Sequence, residues 1–311
     1  MIKRENEFKN LDQAFFPVEE QPVFTLEHRR IPGYKSIVDQ EAGRVISVVS
    51  EQYNLIRNYD AYRMAEYVVE EAFDGKTLQD FKCRNILMPQ SKGSCRIDLI
   101  LPNNFSTLFG SSRESWKPFV RISNSYNKTI SLKFEIGFCR WICLNGVIIG
   151  QNGVSFSTTH TKRITEIDIV STLKKRTREN MGNVGSLWHS FEKKMNVLRN
   201  IQMNSSDAMA LYCRVFDIKA RKEGISEKQK EGLYLRAKQI DRLRTEYFNE
   251  LGNNAYAMLN VLTDFASFPE WTVNPSGYVD GYQRKVGRWV DGIIMFNGQE
   301  GGVAEDISRR R

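Results

Sequence analysis

The residues best suited to chemistry are carboxylates in candidate strands, because acidic side chains that converge in space can bind the metal ions of a nuclease. Asp98 and Glu135 lie in two separate apolar segments. Nuclease motifs also bring a lysine or histidine at a fixed spacing, and neither segment matches such a motif. The favoured interpretation is that both carboxylates are solvent-facing residues of alternating strands. The sequence therefore predicts no catalytic residue.

Histidines and cysteines, the other common metal-ligating residues, are few. None of the 3 histidines stands at metal-ligand spacing from another. The 5 cysteines are an odd number at irregular spacing, which does not indicate a disulfide framework. Only Cys139 and Cys143 are close, and a lone C-x3-C pair without a nearby histidine is typical of buried thiols in an apolar strand. We expect no metal and no cofactor.

A basic cluster is the strongest electrostatic feature of the chain. Its members are Lys174, Lys175, Arg176 and Arg178. Long cationic side chains on one helix face can contact the phosphates of DNA or an acidic partner, and the formal net charge is +8. A solvated helix face is the alternative interpretation. The aromatic residues that could stack on bases lie in apolar settings and are predicted to be core or turn residues. They are Trp116, Tyr126 and Trp141.

Two kinds of periodicity predict the elements that position these residues. Up to about residue 163, strand-like runs alternate with turns, and a hairpin is predicted around Gln90–Gly93. After residue 163 the apolar residues recur with the helical period. We therefore predict an α+β fold, with a mixed, largely antiparallel sheet domain followed by a helical region. The predicted segments are an N-terminal arm (1–30), the sheet domain (31–163), the helical region (164–270) and a C-terminal tail rich in glycine and aromatics (271–311).

The composition is that of a globular protein, with 41% hydrophobic and 26% charged residues. No apolar run approaches the length of a membrane span, and the N-terminus lacks the apolar core of a signal peptide. We expect a location in the cytoplasm and no membrane contact. The arm and the tail are apolar enough to pack on a neighbouring subunit, so a homo-oligomer is predicted. The residues that suggest this are Phe15, Phe16, Phe24, Trp271, Tyr278, Tyr282 and Trp289.

One segment is more specific than these patterns. Residues 118–149 read PFVRISNSYNKTISLKFEIGFCRWICLNGVII. This segment resembles the signature of a phage- and plasmid-associated family of unknown function, in which a strand, an Asn-Ser turn and a second strand precede Arg, Cys and Asn-Gly. The matching residues are Asn124, Ser125, Arg140, Cys143, Asn145 and Gly146. The strand-then-helix pattern of residues 43–66 and the late helix at 254–268 also resemble that family.

The resemblance implies a mobile-element protein with an α+β core, akin to single-strand annealing proteins. In size and basic charge the whole chain also resembles phage proteins that inhibit the Gabija defence complex. The resemblance implies a location in the cytoplasm of the host bacterium, and two functions are expected there. One is a non-enzymatic inhibitor that binds a host anti-phage defence complex of the Gabija type in stoichiometric amounts. The alternative is a single-stranded DNA-binding or annealing protein.

Overall fold

The computed structural model describes residues 8–103, 106–111, 114–141, 145–148, 153–156, 166–180, 182–218, 226–272 and 276–297. The strands are β1 (Val18–Phe24), β2 (Arg30–Asp39), β3 (Arg44–Ser50), β4 (Lys82–Leu87), β5 (Ser94–Ile100), β6 (Ser106–Thr107), β7 (Ser115–Ser125), β8 (Leu132–Arg140), β9 (Asn145–Val147) and β10 (Gly153–Phe156). The helices are α1 (Asn58–Ala72), α2 (Glu166–Asn180), α3 (Val184–Asn200), α4 (Ser205–Val215), α5 (Glu227–Leu251), α6 (Ala255–Ser267) and α7 (Ser276–Asn297).

The larger sheet is antiparallel and forms the centre of the molecule. Its strands run in the order β10-β8-β7-β5-β4, with β6 paired to β7 and β9 paired to β8. Strand β7 is buried at every position after Ser115 because both faces of the sheet are covered. Successive side chains of a strand point to opposite faces. Val120 and Ile122 therefore join the core beneath α1, whereas Arg121 points to the face that α7 covers.

Helix α1 can approach the sheet closely because small residues line its buried face. Ala61, Ala65 and Ala72 are each fully buried there, together with Val68 and Val69. These residues pack on strands β5, β7 and β8 in a single core cluster. The charged residues of α1 lie on the face opposite the sheet.

Helix α6 lies at the centre of the helical region. Each of its residues from Ala255 to Ser267 is buried, and its polar residue Asp264 accepts a hydrogen bond from the Tyr247 hydroxyl at 2.8 Å. Asn254 caps its start by accepting a hydrogen bond from the Ala257 amide at 2.9 Å. Helix α5 packs along α6 and begins at a capping box formed by Ser226 and Gln229. No helix in the described ranges combines the length and the apolarity needed to cross a membrane.

A smaller sheet, in the order β1-β2-β3, packs at the end of β7. The Tyr53 hydroxyl, just after β3, donates to the Ser125 carbonyl at 2.8 Å. The rings of Phe16 and Tyr126 meet edge to face with centroids 5.8 Å apart. One face of the small sheet is thereby buried against the turn that follows β7.

The predicted fold class is confirmed, and the predicted hairpin is present as β4 and β5. Strand β1 lies within the segment predicted as an arm, and helix α7 lies within the segment predicted as a tail. Pro22 is compatible with β1 because β1 is an edge strand of its sheet. The glycines of α7 lower its intrinsic helix propensity. Burial of Val279, Val286 and Val290 against the core compensates for that cost.

Candidate functional site

An ionic cluster occupies the space between the larger sheet and α7. Its members are Arg84, Arg96, Asp98, Arg121, Lys133, Glu135, Asp280 and Arg284. The strand register explains the arrangement. Arg121 on β7 lies directly opposite Asp98 on β5 and directly opposite Glu135 on β8. Helix α7 adds Asp280 and Arg284, which lie one turn apart on its inner face. The sheet thus presents a row of alternating charges to a helix that carries both signs.

Short, mostly bidentate contacts hold the ionic cluster together. Arg121 donates to the two carboxylate oxygens of Asp98 at 2.6 and 2.7 Å, and to Asp280 at 3.0 Å. Arg284 donates to both oxygens of Glu135, and its Nε atom donates to Asp280 at 3.1 Å. Buried charges need such pairing, because the loss of hydration is offset only by direct contacts of good geometry.

These contacts favour the ionised forms of Asp280 and Glu135. Burial raises the pKa of Asp280, but Arg121, Arg96 and Arg284 outweigh that effect and lower it to about 2. Burial likewise opposes ionisation of Glu135, and hydrogen bonding and charge from Arg284 and then Lys133 bring its pKa below its ordinary value. Neither group can act as a general acid near neutral pH.

The prediction that Asp98 and Glu135 face solvent is wrong. Their exposures are 1% and 2%, because the second face of the sheet is covered by α7. The structure brings both residues to opposite sides of Arg121, where each is bound by arginine. Among the described residues, no group of three or more histidine, cysteine, aspartate or glutamate side chains could hold a metal ion.

A cavity of about 200 Å³ adjoins the ionic cluster. Its lining consists of Arg96, Ser123, Ile130, Ser131, Lys133, Asp280 and Arg284. The hydroxyl of Ser123, a residue only 3% exposed, has no hydrogen-bond partner. Sequence reasoning missed this site. A usable signal was present, because charged residues alternate with apolar ones in β5, at Arg96 and Asp98, and in β8, at Lys133 and Glu135.

An exposed apolar surface lies on the small sheet, and we call it the sheet patch. It comprises Phe24, Leu26, Tyr34, Val45 and Val48, which are 52%, 96%, 52%, 59% and 54% exposed. Ser36 pairs with Val48, and Val38 pairs with Val45. The register therefore places Val45, Val48 and Tyr34 on the same face, opposite the buried Ile37 and Val49. Phe24 and Leu26 are exposed at the end of the small sheet where β1 connects to β2.

Asn124 and Ser125 of the signature segment lie buried where the two sheets meet. Asn124 Nδ2 donates to the Ile56 carbonyl at 2.8 Å and to Asn58 Oδ1 at 3.0 Å, which fixes the chain entering α1. The Ser125 hydroxyl donates to the Ile130 carbonyl at 2.6 Å and closes the turn between β7 and β8. The Asn124 side chain thus holds the start of α1 on the larger sheet, and the Ser125 side chain holds the turn between β7 and β8.

The remaining signature residues lie at the opposite end of β8. Arg140 is fully buried, and its Nη2 donates to Glu114 at 2.6 Å and to Glu250 at 3.0 Å, which ties the sheet to α5. Asn145 and Gly146 belong to β9, and the Gly146 amide donates to the Ser267 hydroxyl at 3.3 Å. Cys143 lies outside the described residues.

The basic cluster predicted from the sequence lies on α2, against α1. Lys174 pairs with Glu70 at 3.0 Å, and Arg178 donates to Glu71 at 2.8 Å. Lys175 is 75% exposed and lies 3.9 Å from Glu179 in the next turn. The fourth member, Arg176, is on the same helix. Lys174, Lys175 and Arg178 therefore each lie close to a carboxylate in the structure.

The aromatics predicted to be core or turn residues are placed as expected. Trp116 and Tyr126 are buried, at 0% and 1% exposure. Trp141 is partly buried and lies beneath Lys117, whose Nζ atom is 3.9 Å from the ring centroid. A groove of about 720 Å³ along α1 includes three carboxylates and one arginine among its lining residues. They are Asp60, Glu66, Glu70 and Arg63.

The family model described as "Domain of unknown function (DUF932)" matches residues 45–268, and the chain belongs to that family. The matched range runs from β3 to the end of α6. No curated protein and no solved structure is similar enough to this chain to count as a match.

Proposed function

We propose that this DUF932 protein is a non-enzymatic binding protein of phage origin that inhibits a host anti-phage defence complex of the Gabija type by direct, stoichiometric contact. The observation that carries the binding role is the sheet patch. Large apolar side chains exposed together on one surface are typical of protein–protein interaction sites. The identity of the partner rests on the resemblance of the sequence to phage anti-defence proteins.

The sheet patch has the composition of a protein interface. Tyr34 and Phe24 offer rings that can fill pockets on a partner, and aromatic side chains dominate the energetic centres of such interfaces. Arg30 and Glu51 form an exposed ion pair at 3.0 Å close to the same strands, and such a pair suits a polar rim. The exposed apolar side chains of the sheet patch suit a protein partner.

A pull-down with matched variants tests the proposed interface. Tyr34→Ser with Val48→Ser removes two side chains of the sheet patch. Tyr234→Ser with Leu235→Ser is the control, because these side chains are also exposed, at 66% and 40%, but lie on α5. We expect the first pair to abolish co-purification with a Gabija-type complex and rescue of phage, and the control pair to preserve both. The proposal would be contradicted if the two double variants co-purified with the complex and rescued phage to the same extent.

Self-association through the sheet patch is a competing outcome of the same experiment. Light scattering separates the two, because a homo-oligomer held by the sheet patch would dissociate in the Tyr34→Ser, Val48→Ser variant without any partner present. A molar mass of about 36 kDa for the wild-type protein at micromolar concentration would exclude self-association.

Single-stranded DNA binding is the second candidate function, and the net charge of +8 with the exposed Lys175 favours it. The acidic groove along α1 and the burial of Trp116 and Tyr126 weigh against it, since unspecific DNA binding relies on cationic grooves with exposed aromatics. Changing Lys174, Lys175, Arg176 and Arg178 together to Glu should abolish any DNA binding. Binding that survives this change at physiological salt would show that α2 is not the site.

A further inference from the structure

The ionic cluster carries more positive than negative charge. Its cationic members are Arg84, Arg96, Arg121, Lys133 and Arg284, and its carboxylates are Asp98, Glu135 and Asp280. Five cations against three anions leave a surplus of two positive charges among the described residues. The side chains concerned are largely removed from water, with exposures from 0% for Arg121 to 29% for Arg284. An uncompensated charge in such a place is costly, so the ionic cluster favours a counter-anion.

The cavity beside the ionic cluster supplies a place for that anion. The Nε atom of Arg96 lies 3.3 Å from Asp280 Oδ2, but the two atoms do not have the geometry of a hydrogen bond. Ser123 lines the same cavity, and its buried hydroxyl has no hydrogen-bond partner. Lys133 Nζ contacts Glu135 at 2.7 Å and has two further protons to donate. Arg96, Ser123 and Lys133 are cross-strand partners on β5, β7 and β8, so they form one row at the floor of the cavity.

We propose that this cavity binds a phosphate group. A phosphate group carries close to two negative charges at neutral pH, which matches the surplus of the ionic cluster. Guanidinium groups, an ammonium group and hydroxyls are the usual donors to phosphate oxygens. The volume of about 200 Å³ holds a phosphate group with several waters, because one water occupies about 30 Å³. The site lies on the α7 side of the larger sheet and is separate from the proposed protein interface.

Thermal unfolding and calorimetric titration of the full chain test the proposal. The probes are sodium phosphate and adenosine monophosphate, with sodium chloride added to keep the ionic strength constant. We expect saturable binding and a higher melting temperature with at least one phosphate probe. Saturation by inorganic phosphate identifies the free ion as a ligand. Binding of the nucleotide that is at least tenfold tighter identifies a phosphate carried on a larger molecule.

Two variants address the residues that line the cavity. Ser123→Ala removes a hydroxyl that has no partner in the free protein, so the fold is retained, and phosphate affinity should fall about tenfold. Arg96→Gln removes one cation and should weaken binding by more than tenfold. The matched controls are Ser190→Ala and Lys193→Gln, which make the same types of change on the exposed surface of α3 and should bind like wild type.

The proposal is overturned if neither probe binds with a dissociation constant below about 10 mM, which is tenfold weaker than a millimolar site. It is also overturned if Ser123→Ala and Arg96→Gln bind as tightly as their controls. Should Arg96→Gln fail to fold, as judged by circular dichroism, Ser123→Ala alone decides the question.

Discussion

Replacing Arg121 with methionine perturbs the ionic cluster at its centre. The Arg121 side chain is fully buried and binds Asp98 twice and Asp280 once. Without it, the nearest described cation to Asp98 is Arg84, 3.9 Å from the carboxylate. Removing one partner of a buried ion pair typically costs about 3–5 kcal/mol, because the other charge stays buried without compensation. We therefore expect Arg121→Met to lower the free energy of unfolding by about 3–5 kcal/mol.

A double-mutant cycle with Asp98→Leu separates the loss of the pair from the loss of packing. The cycle compares wild type, both single variants and the double variant by urea unfolding at pH 7. Removing both charges should be less damaging than the two single losses added together, with a coupling energy of about 1–3 kcal/mol. Arg242→Met is the control, because Arg242 pairs with Glu270 at 2.7 Å on the surface, where such a pair contributes at most about 1 kcal/mol.

Two results would refute this reasoning. The first is an Arg121→Met variant as stable as the Arg242→Met control. The second is a coupling energy near zero, since independent contributions would mean that Arg121 and Asp98 do not hold each other in place.

Three further predictions concern stability. The arginines around Asp280 lower its pKa from 3.8 to about 2, so its ionised form stabilises the fold above pH 4 and this stabilisation is lost as the pH falls towards 2. The free energy of unfolding, measured from pH 5 to pH 2, should therefore fall by about 2 kcal/mol, and Asp280→Asn should reduce that fall. Gly137→Ala should lower thermal stability by about 1–3 kcal/mol, because its Cβ would lie 2.6 Å from the Phe119 ring and 2.7 Å from the Val147 carbonyl; an unchanged melting temperature would be inconsistent with that packing. Asn254→Ala should cost about 1–2 kcal/mol in urea unfolding, because it removes the α6 cap and the Nδ2 hydrogen bond to the Leu251 carbonyl at 2.8 Å; an unchanged unfolding midpoint would contradict the role of the cap.

Local patterns in the sequence were sufficient to predict the fold class. Helix α6 follows from its apolar residues and from the cap at Asn254, and the β4–β5 hairpin follows from the turn residues between two apolar runs. Helix α7 could not be predicted in the same way. Its glycines disfavour a helix locally, and only the burial of residues such as Val286 and Val290 in the assembled core stabilises it.

The candidate sites depend on tertiary structure that no local pattern encodes. Alternation indicates that Asp98 and Arg121 lie on one face of their strands, but only the placement of α7 makes that face buried. The same limit applies to the sheet patch. Val45 and Val48 have the sequence pattern of a core strand, yet the small sheet buries the opposite face against Tyr126.

The most direct test of the proposed function is to titrate the purified protein against the nuclease activity of a Gabija-type complex held at a fixed concentration far above the dissociation constant. Stoichiometric binding through the sheet patch predicts a linear loss of nuclease activity that ends at a fixed molar ratio, with no loss for the Tyr34→Ser, Val48→Ser variant. Complete inhibition at a small fraction of that ratio would indicate catalysis and contradict the account. So would inhibition that is unaffected by the change in the sheet patch.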